Sequence, residues 1–258
     1  MPLLVTIITV SYNSALTISD TIKSVLNQTY KNIEYILVDG NSKDNTIEII
    51  KSYKKEFKDK GIIYKWIIEP DNGIYDAMNK GLLIASGDII GIINSDDWYN
   101  PDAIAEIVNL NKDNTYHIIS GNLNKVNSKK EIYKTIKNKK DIKKNIKKIM
   151  PINHPATFVH KTVYKRIGVF NTKYKLSADY DLIFRAFNAG VNFLFTNKVL
   201  VNMRNTGKTH QTKNLFITAK EDYIIRKKNN VSLAFFYYIK RIVFNYLVII
   251  RNIYRKLF

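Results

Sequence analysis

Two carboxylates stand side by side at Asp96 and Asp97, in the run Asn94-Ser95-Asp96-Asp97. Adjacent like charges repel, and no basic residue in this loop offers itself as a partner. A divalent cation would relieve the repulsion. Ligation by oxygen alone suits Mg2+ or Mn2+, which use one or two carboxylates and complete their shells with substrate phosphates. Asp39 closes another apolar run, where an Asp also serves as an ordinary turn former or helix cap. Farther along, Asp179 and Asp181 flank Tyr180, and Arg185 follows Asp181 by four residues, the spacing of an ion pair on one helix face. Two positions apart on a helix, the two acids point in different directions. His154, just before Pro155, reads either as a buried turn histidine or as a group that binds acceptor or diphosphate.

These residues need elements to hold them. Residues 5–10, 35–38, 62–68 and 89–93 are short apolar runs rich in β-branched side chains, and each reads as a buried strand. Helical spacing separates them: Ile18, Ile22, Val25 and Leu26 share one face, then Ile47, Ile50 and Tyr53, then the stretch 73–84. Strands alternating with helices imply an α/β fold whose sheet is mostly parallel and covered on both faces. In such sheets ligands bind beyond the carboxyl ends of the strands, where Asp39, Asp96 and Asp97 fall. The second half is less regular, with strand candidates at 116–120, 156–159, 192–195 and 199–203 and a helix through Tyr180 and Arg185. The lysine-rich stretch 125–148 carries Ile142, Ile146 and Ile149 at helical spacing and reads as a solvated surface helix or a mobile insertion.

The first hundred residues resemble the nucleotide-binding half of the family 2 glycosyltransferases, which have the Rossmann-like GT-A fold. Four segments in order carry the likeness. Thr6-Ile7-Ile8-Thr9-Val10-Ser11-Tyr12-Asn13 is similar to the family's opening. Ser24-Val25-Leu26-Asn27-Gln28-Thr29-Tyr30 followed by Val38-Asp39-Gly40-Asn41-Ser42-Lys43-Asp44-Asn45-Thr46 resembles its second signature. Glu69-Pro70-Asp71-Asn72-Gly73-Ile74-Tyr75-Asp76-Ala77-Met78-Asn79-Lys80-Gly81 is similar to the segment that closes over the nucleotide. Ala85-Ser86-Gly87-Asp88 leading to Ser95-Asp96-Asp97 resembles the family's metal motif. Beyond residue 100 the likeness thins to His154-Pro155-Ala156-Thr157-Phe158 and to Ser177-Ala178-Asp179-Tyr180-Asp181-Leu182-Ile183-Phe184-Arg185, where Ala178 stands in place of the usual Glu.

The resemblance implies roles for these residues. Thr9 and Tyr12 would border the base of a nucleotide-sugar donor, a UDP-sugar by family expectation, and Asp39 would accept a hydrogen bond from uracil. Asp71 and Asn79 would help close the pocket. Asp96 would face the ribose, and Asp97 would hold the Mg2+ or Mn2+ that bridges the diphosphate. Asp179 would act as the general base in a single inverting displacement, placing the enzyme among the hexosyltransferases (EC 2.4). Asp181 is the rival base, better suited to anchoring the helix or binding acceptor. Lys208 and His210 stand where some relatives carry a mobile loop over the diphosphate. Trp98 would line the cleft or anchor the core. By the same likeness 1–100 is the donor-binding half and 101–225 the acceptor-binding half; 226–258, outside the likeness, reads as a basic amphipathic helical tail.

Net charge is +19, concentrated in 125–148 and in the last thirty or so residues. Charge of this size attracts polyanions. A recognisable nucleic-acid reading motif is missing and the expected cleft is acidic, so nucleic acid is not the expected partner. The loop after the first strand lacks the glycines and basic residues of a nucleotidyltransferase. From 231 to 258 no residue is acidic. On a helix, Lys240, Arg241, Asn245, Arg251, Asn252, Arg255 and Lys256 fall in one arc of roughly 160°, opposite an aromatic and aliphatic face. That pattern describes a helix lying in a membrane interface. With no signal peptide read at the N-terminus, the expectation is a cytoplasmic protein, peripheral on the inner face of the membrane. There it would glycosylate a glycan or lipid-linked acceptor of a bacterial surface polysaccharide. The absence of cysteine excludes disulfides and thiolate metal sites.

Overall fold

The structure is a computed structural model and describes residues 2–111, 117–204 and 212–257. Strands β1 (Val5–Ser11), β2 (Ile33–Asp39), β3 (Ile63–Ile68) and β4 (Ile89–Asn94) alternate with helices α1 (Ile18–Leu26), α2 (Thr46–Ser52), α3 (Lys54–Asp59) and α4 (Ile74–Ile84). The four strands are parallel, and the register sets Ser11 beside Asp39 and Val10 beside Asn94. Their carboxyl ends therefore finish level, at one rim. Successive side chains alternate across the sheet. Val5, Ile7, Tyr35 and Leu37 pack under α1 and α3, whereas Ile8, Val10, Ile36 and Val38 pack under α4. Both faces are buried, so the strands read as continuous apolar runs rather than alternating ones.

The amino-terminal ends of the strands are tied by a buried carboxylate. Glu34 accepts hydrogen bonds from Thr6 Oγ1 (2.6 Å), Ser86 N and Oγ (both 2.8 Å) and Lys65 Nζ (2.6 Å). Burial opposes its ionisation, and these donors outweigh that and hold its pKa below the usual value. Gly87 has no room for a side chain, because a Cβ there would lie 2.7 Å from the Thr6 nitrogen. Residues 85–88 thus serve the sheet at the end opposite the rim.

The second half extends the same sheet. It contributes β5 (Trp98–Tyr99), α5 (Ala103–Leu110), β6 (His117–Val126), β7 (Ile132–Ile136), α6 (Ile142–Asn145), β8 (Thr157–His160), α7 (Lys161–Ile167), α8 (Ala178–Asn188), β9 (Asn192–Arg204), α9 (Thr212–Lys228) and α10 (Ala234–Leu257). The order is β3-β2-β1-β4-β8-β6-β9-β5, with β7 on the edge of β6. β8 runs antiparallel to both β4 and β6, which gives the sheet its mixed second half.

Two expectations change here. The strand candidates at 192–195 and 199–203 are one strand, β9, whose register against β6 shifts near Asn122. The basic stretch 125–148 is not a solvated helix. Its first part pairs as β7 with β6, and only one turn, α6, is helical. Ile142 and Ile146 are buried while Ile149 is exposed. The carbonyls that follow this turn are satisfied from elsewhere: Tyr180 donates to that of Ile146, and Arg226 donates to those of Lys147 (3.1 Å) and Lys148 (2.8 Å).

Candidate active site

At the rim, the loop after β1 is sewn to the loop after β2 by side chains at alternate positions. Ser42, Asp44 and Thr46 accept the backbone N–H groups of Asn13 (2.8 Å), Ala15 (3.1 Å) and Ser14 (2.8 Å). Asn13 sits in the left-handed region (φ 49°) and takes the N–H of Lys43 at 2.8 Å. The spacing Ser-x-Asp-x-Thr therefore satisfies three consecutive amides of the neighbouring loop. The Ser14 and Ser95 hydroxyls pair at 2.8 Å, which brings in the loop after β4.

Asp39 lies buried at the centre of this seam. It accepts from Ser11 Oγ, Ser42 N and Ser42 Oγ, each at 2.7 Å. An ionised carboxylate has about four acceptor positions, so one remains for a ligand donor. Beside it Tyr12 is 55% exposed. A Cβ on Gly40 would fall 2.4 Å from Asp71 Oδ2 and 3.3 Å from the Tyr12 ring, so Tyr12, Gly40 and Asp71 are in contact. Asp71 also accepts the N–H of Gly73 at 2.8 Å. Gly73, at φ 116°, starts α4 in a conformation that favours glycine.

The two adjacent acids have different environments. Asp97 is 1% exposed. Its Oδ1 accepts the backbone N–H of Arg204 at 3.0 Å, and its Oδ2 accepts Asn94 Nδ2 at 3.2 Å. Burial first, then the charge of Asp96, pushes its pKa well above the usual carboxylate value. Asp96 is half-buried at the rim. Arg204 braces the pair: its guanidinium takes the Asp96 carbonyl and the Asp20 carboxylate and lies 4.7 Å from the centre of the Trp98 ring. Trp98 also borders a groove of about 370 Å³ with Asp20, Asn100 and Lys130, on the α1 side of this loop.

Asp179, in the first turn of α8, is half-buried and accepts the Tyr75 hydroxyl at 3.2 Å. Tyr75 is two residues beyond Gly73, so α4 links the Asp71 loop directly to Asp179. The Tyr75 ring stacks on that of Phe170 (5.5 Å), and His154 meets the Phe170 ring edge-on (5.8 Å). Loss of solvent lowers the pKa of His154, against the opposing pull of the Asp179 carboxylate. The segment entering α8 is fixed from α9. Glu221 accepts the N–H groups of Lys175 (2.7 Å), Leu176 (2.9 Å) and Ser177 (3.0 Å), and Asp222 accepts Ser177 Oγ at 3.0 Å.

Residues 6–169 match the family model described as Glycosyl transferase family 2, well over half of the chain. The chain belongs to this family. An uncharacterized glycosyltransferase of Rickettsia prowazekii (strain Madrid E) is 30% identical over 234 residues, 85% of this chain and 69% of that protein. Among solved structures, S. aureus TarS 1-349 in complex with UDP-GlcNAc superposes with a TM-score of 0.67 at 16% identity, covering 90% of this chain and 73% of that one. A mannosyltransferase from Pyrobaculum calidifontis in complex with GDP-Man and Mn2+ gives 0.65 at 16% identity, covering 98% and 80%. The chain spans 39% of the length of a longer TarS chain. These structural likenesses establish the fold.

Several roles implied by the family do not suit the positions observed. Thr9 is fully buried on the α1 side of β1, where its hydroxyl accepts from Tyr35 at 3.1 Å, and it cannot border a nucleotide. Asn79 binds both backbone groups of Phe170 (2.9 and 3.0 Å), so it holds the ring beside Tyr75 rather than the pocket's edge. Asp181 is buried and paired with Arg185 at 2.8 Å, and Arg185 in turn takes the carbonyls of Ile167 and Val169. That anchors α8 and removes Asp181 as an acceptor ligand. Asp97, expected to hold the ion, is buried and each of its oxygens accepts one protein donor, whereas Asp96 is the more accessible carboxylate of the pair. Lys208 and His210 lie outside the described residues. Tyr75, Arg204, Glu221 and Asp222 were not singled out in the sequence. A signal existed for the last two, which are the only acidic residues after Asp181.

Proposed function

We propose that this family 2 chain is an inverting glycosyltransferase that moves a sugar from a nucleotide diphosphate sugar, UDP-linked by expectation, onto an acceptor hydroxyl. The observation that carries the reading is the Tyr75–Asp179 contact, which joins a half-exposed carboxylate to the helix that begins at the Tyr12–Gly40–Asp71 rim. Tyr12 and Asp71 flank the nucleotide, and Asp39 offers its remaining acceptor position to a ring N–H. Asp179 takes the acceptor proton as that oxygen attacks the anomeric carbon. The bond to the diphosphate breaks on the opposite face, and its electron pair leaves with the diphosphate. One base and one displacement invert the anomeric centre. His154, edge-on to the Phe170 ring that stacks on Tyr75, orients the acceptor.

A metal site of three or more acidic or histidine side chains is absent among the described residues. The donor set still fits Mg2+ or Mn2+, which need only one or two carboxylates when phosphates supply the rest. Asp96 is the side chain we assign to hold the ion, because it is the more accessible of the pair. When bound, the ion supplies positive charge beside the departing diphosphate. The acceptor we assign is a glycan carried on a lipid, as in assembly of a bacterial surface polysaccharide, at the inner face of the cytoplasmic membrane. Support for that comes from the apolar outer face of α10.

The test is release of nucleotide diphosphate from a panel of nucleotide sugars, with Mn2+ or Mg2+ and a lipid-linked glycan acceptor. Turnover with at least one donor, abolished in Asp179→Asn while donor binding persists, is expected. Turnover by Asp179→Asn at the native rate overturns the assignment of the base.

A further inference from the structure

Helix α10 turns a largely apolar face away from the protein. At about 100° per residue, its exposed and covered side chains separate cleanly into two arcs. Phe235, Phe236, Ile239, Val243, Phe244 and Leu247 are 44–62% exposed. The opposite arc turns toward α9: Asn245 is buried and donates to the Leu215 carbonyl at 2.9 Å, and Arg241 lies close enough to Asp222 to favour its ionised form. Arg241 and Asn245 thus lie on the covered side together with Ala234, Ile242, Val248 and Ile249, while the outward arc is aromatic and aliphatic apart from Lys240. A helix that packs on a soluble domain ordinarily does the reverse. Tyr246 and Tyr238 secure the arrangement through ring contacts with Phe216 (5.3 Å) and Tyr223 (5.2 Å) on α9.

We propose that this outward face of α10 docks onto an anionic lipid bilayer, lying parallel to its surface. The inference rests on the membrane part of the proposed function and names the surface that performs it. Length excludes nothing here, but composition does: no helix among the described residues is long and apolar enough to cross a membrane. The choice of a lipid surface over a protein follows from charge. The chain has no acidic residue after Asp222, exposed Lys240 lies in the outward arc of α10, and Lys227 and Lys228 are exposed at the end of α9. Basic residues flanking an aromatic-rich face suit anionic headgroups above and acyl chains below. The side chains of Arg251, Asn252, Arg255 and Lys256 lie outside the described residues and carry none of this.

Flotation of the full chain with phosphatidylglycerol–phosphatidylcholine vesicles tests it. The native protein floats with anionic vesicles, and Phe236→Glu/Val243→Glu/Leu247→Glu lowers partitioning by about tenfold or more, with transfer to a water-soluble acceptor unchanged. Because the chain lacks cysteine, Val243→Cys offers a single labelling point that does not depend on the triple variant folding. A polarity-sensitive dye there shifts to the blue on addition of anionic vesicles. Undiminished flotation of the triple variant, or no spectral shift, overturns the inference. So does a dimer in sedimentation that the triple variant dissociates, since a second copy would then cover the face. Loss of sugar transfer with vesicle binding intact would instead count against the proposed chemistry.

Discussion

The hydroxyl of Tyr75 donates to Oδ1 of Asp179 at 3.2 Å across 104 positions of sequence. Burial, then the neighbouring carboxylate, raises the Tyr75 pKa well above its ordinary value, so the phenol stays a donor. The same Asp179 oxygen accepts the N–H of Tyr180 at 2.8 Å, leaving Oδ2 for an acceptor proton. Tyr75→Phe removes a hydrogen bond to a charged group, worth roughly 1.5–3 kcal/mol. The expected result is a kcat lower by about tenfold or more with donor KM little changed. An unaltered kcat would show that the contact does not position the base.

Asp96 and Asp97 separate by the same reasoning. Asp96→Ala is expected to abolish Mn2+-dependent nucleotide binding, read by titration calorimetry, while thermal stability holds. Asp97→Ala leaves the Arg204 amide without its buried acceptor, which costs about 1–3 kcal/mol and lowers Tm. If instead Asp97→Ala loses the ion with an unchanged Tm, the original assignment of the metal to Asp97 stands.

Glu221 holds three successive amides just ahead of Asp179. It touches no reacting atom and acts as a positioning residue. Glu221→Ala is expected to lower kcat with nucleotide affinity preserved, and to cost on the order of 3 kcal/mol in stability. Glu221→Gln, which keeps one acceptor oxygen and turns the other into a donor, recovers part of the kcat. Equal kcat in all three proteins would reduce the contact to a purely structural one.

Burial raises the Asp222 pKa from 3.8 to about 6, against the favourable charge of Arg226. Between those values the unfolded chain has already lost the proton that the folded chain retains. Folded Asp222 therefore binds more protons, and stability falls as pH rises from about 4 to about 6, then levels. The full difference corresponds to at most about 3 kcal/mol. Asp222→Asn keeps an acceptor for Ser177 and is expected to flatten this part of the Tm–pH curve. Identical slopes in the two proteins would refute it.

Much of this architecture is written in local pattern. Ile18, Ile22, Val25 and Leu26 declare α1, and four β-branched runs declare four buried strands, because periods of 3.6 and 2 are properties of neighbouring residues. The family signatures likewise locate the rim, since Ser42, Asp44 and Thr46 act on a loop whose path they help define. Tertiary structure decided what local pattern cannot. Which of two adjacent acids faces the cleft depends on Arg204 arriving 107 positions later. The stretch 125–148 pairs in part with β6 and keeps a single helical turn, followed by carbonyls that Tyr180 and Arg226 satisfy from two later helices. Likewise the sequence determined that α10 is rich in aromatic and aliphatic side chains, while only its packing on α9 determined which of them meet the surroundings. Amphipathic pattern sets how side chains are arranged around an axis, but the rotation of that axis is chosen by the partners it packs against.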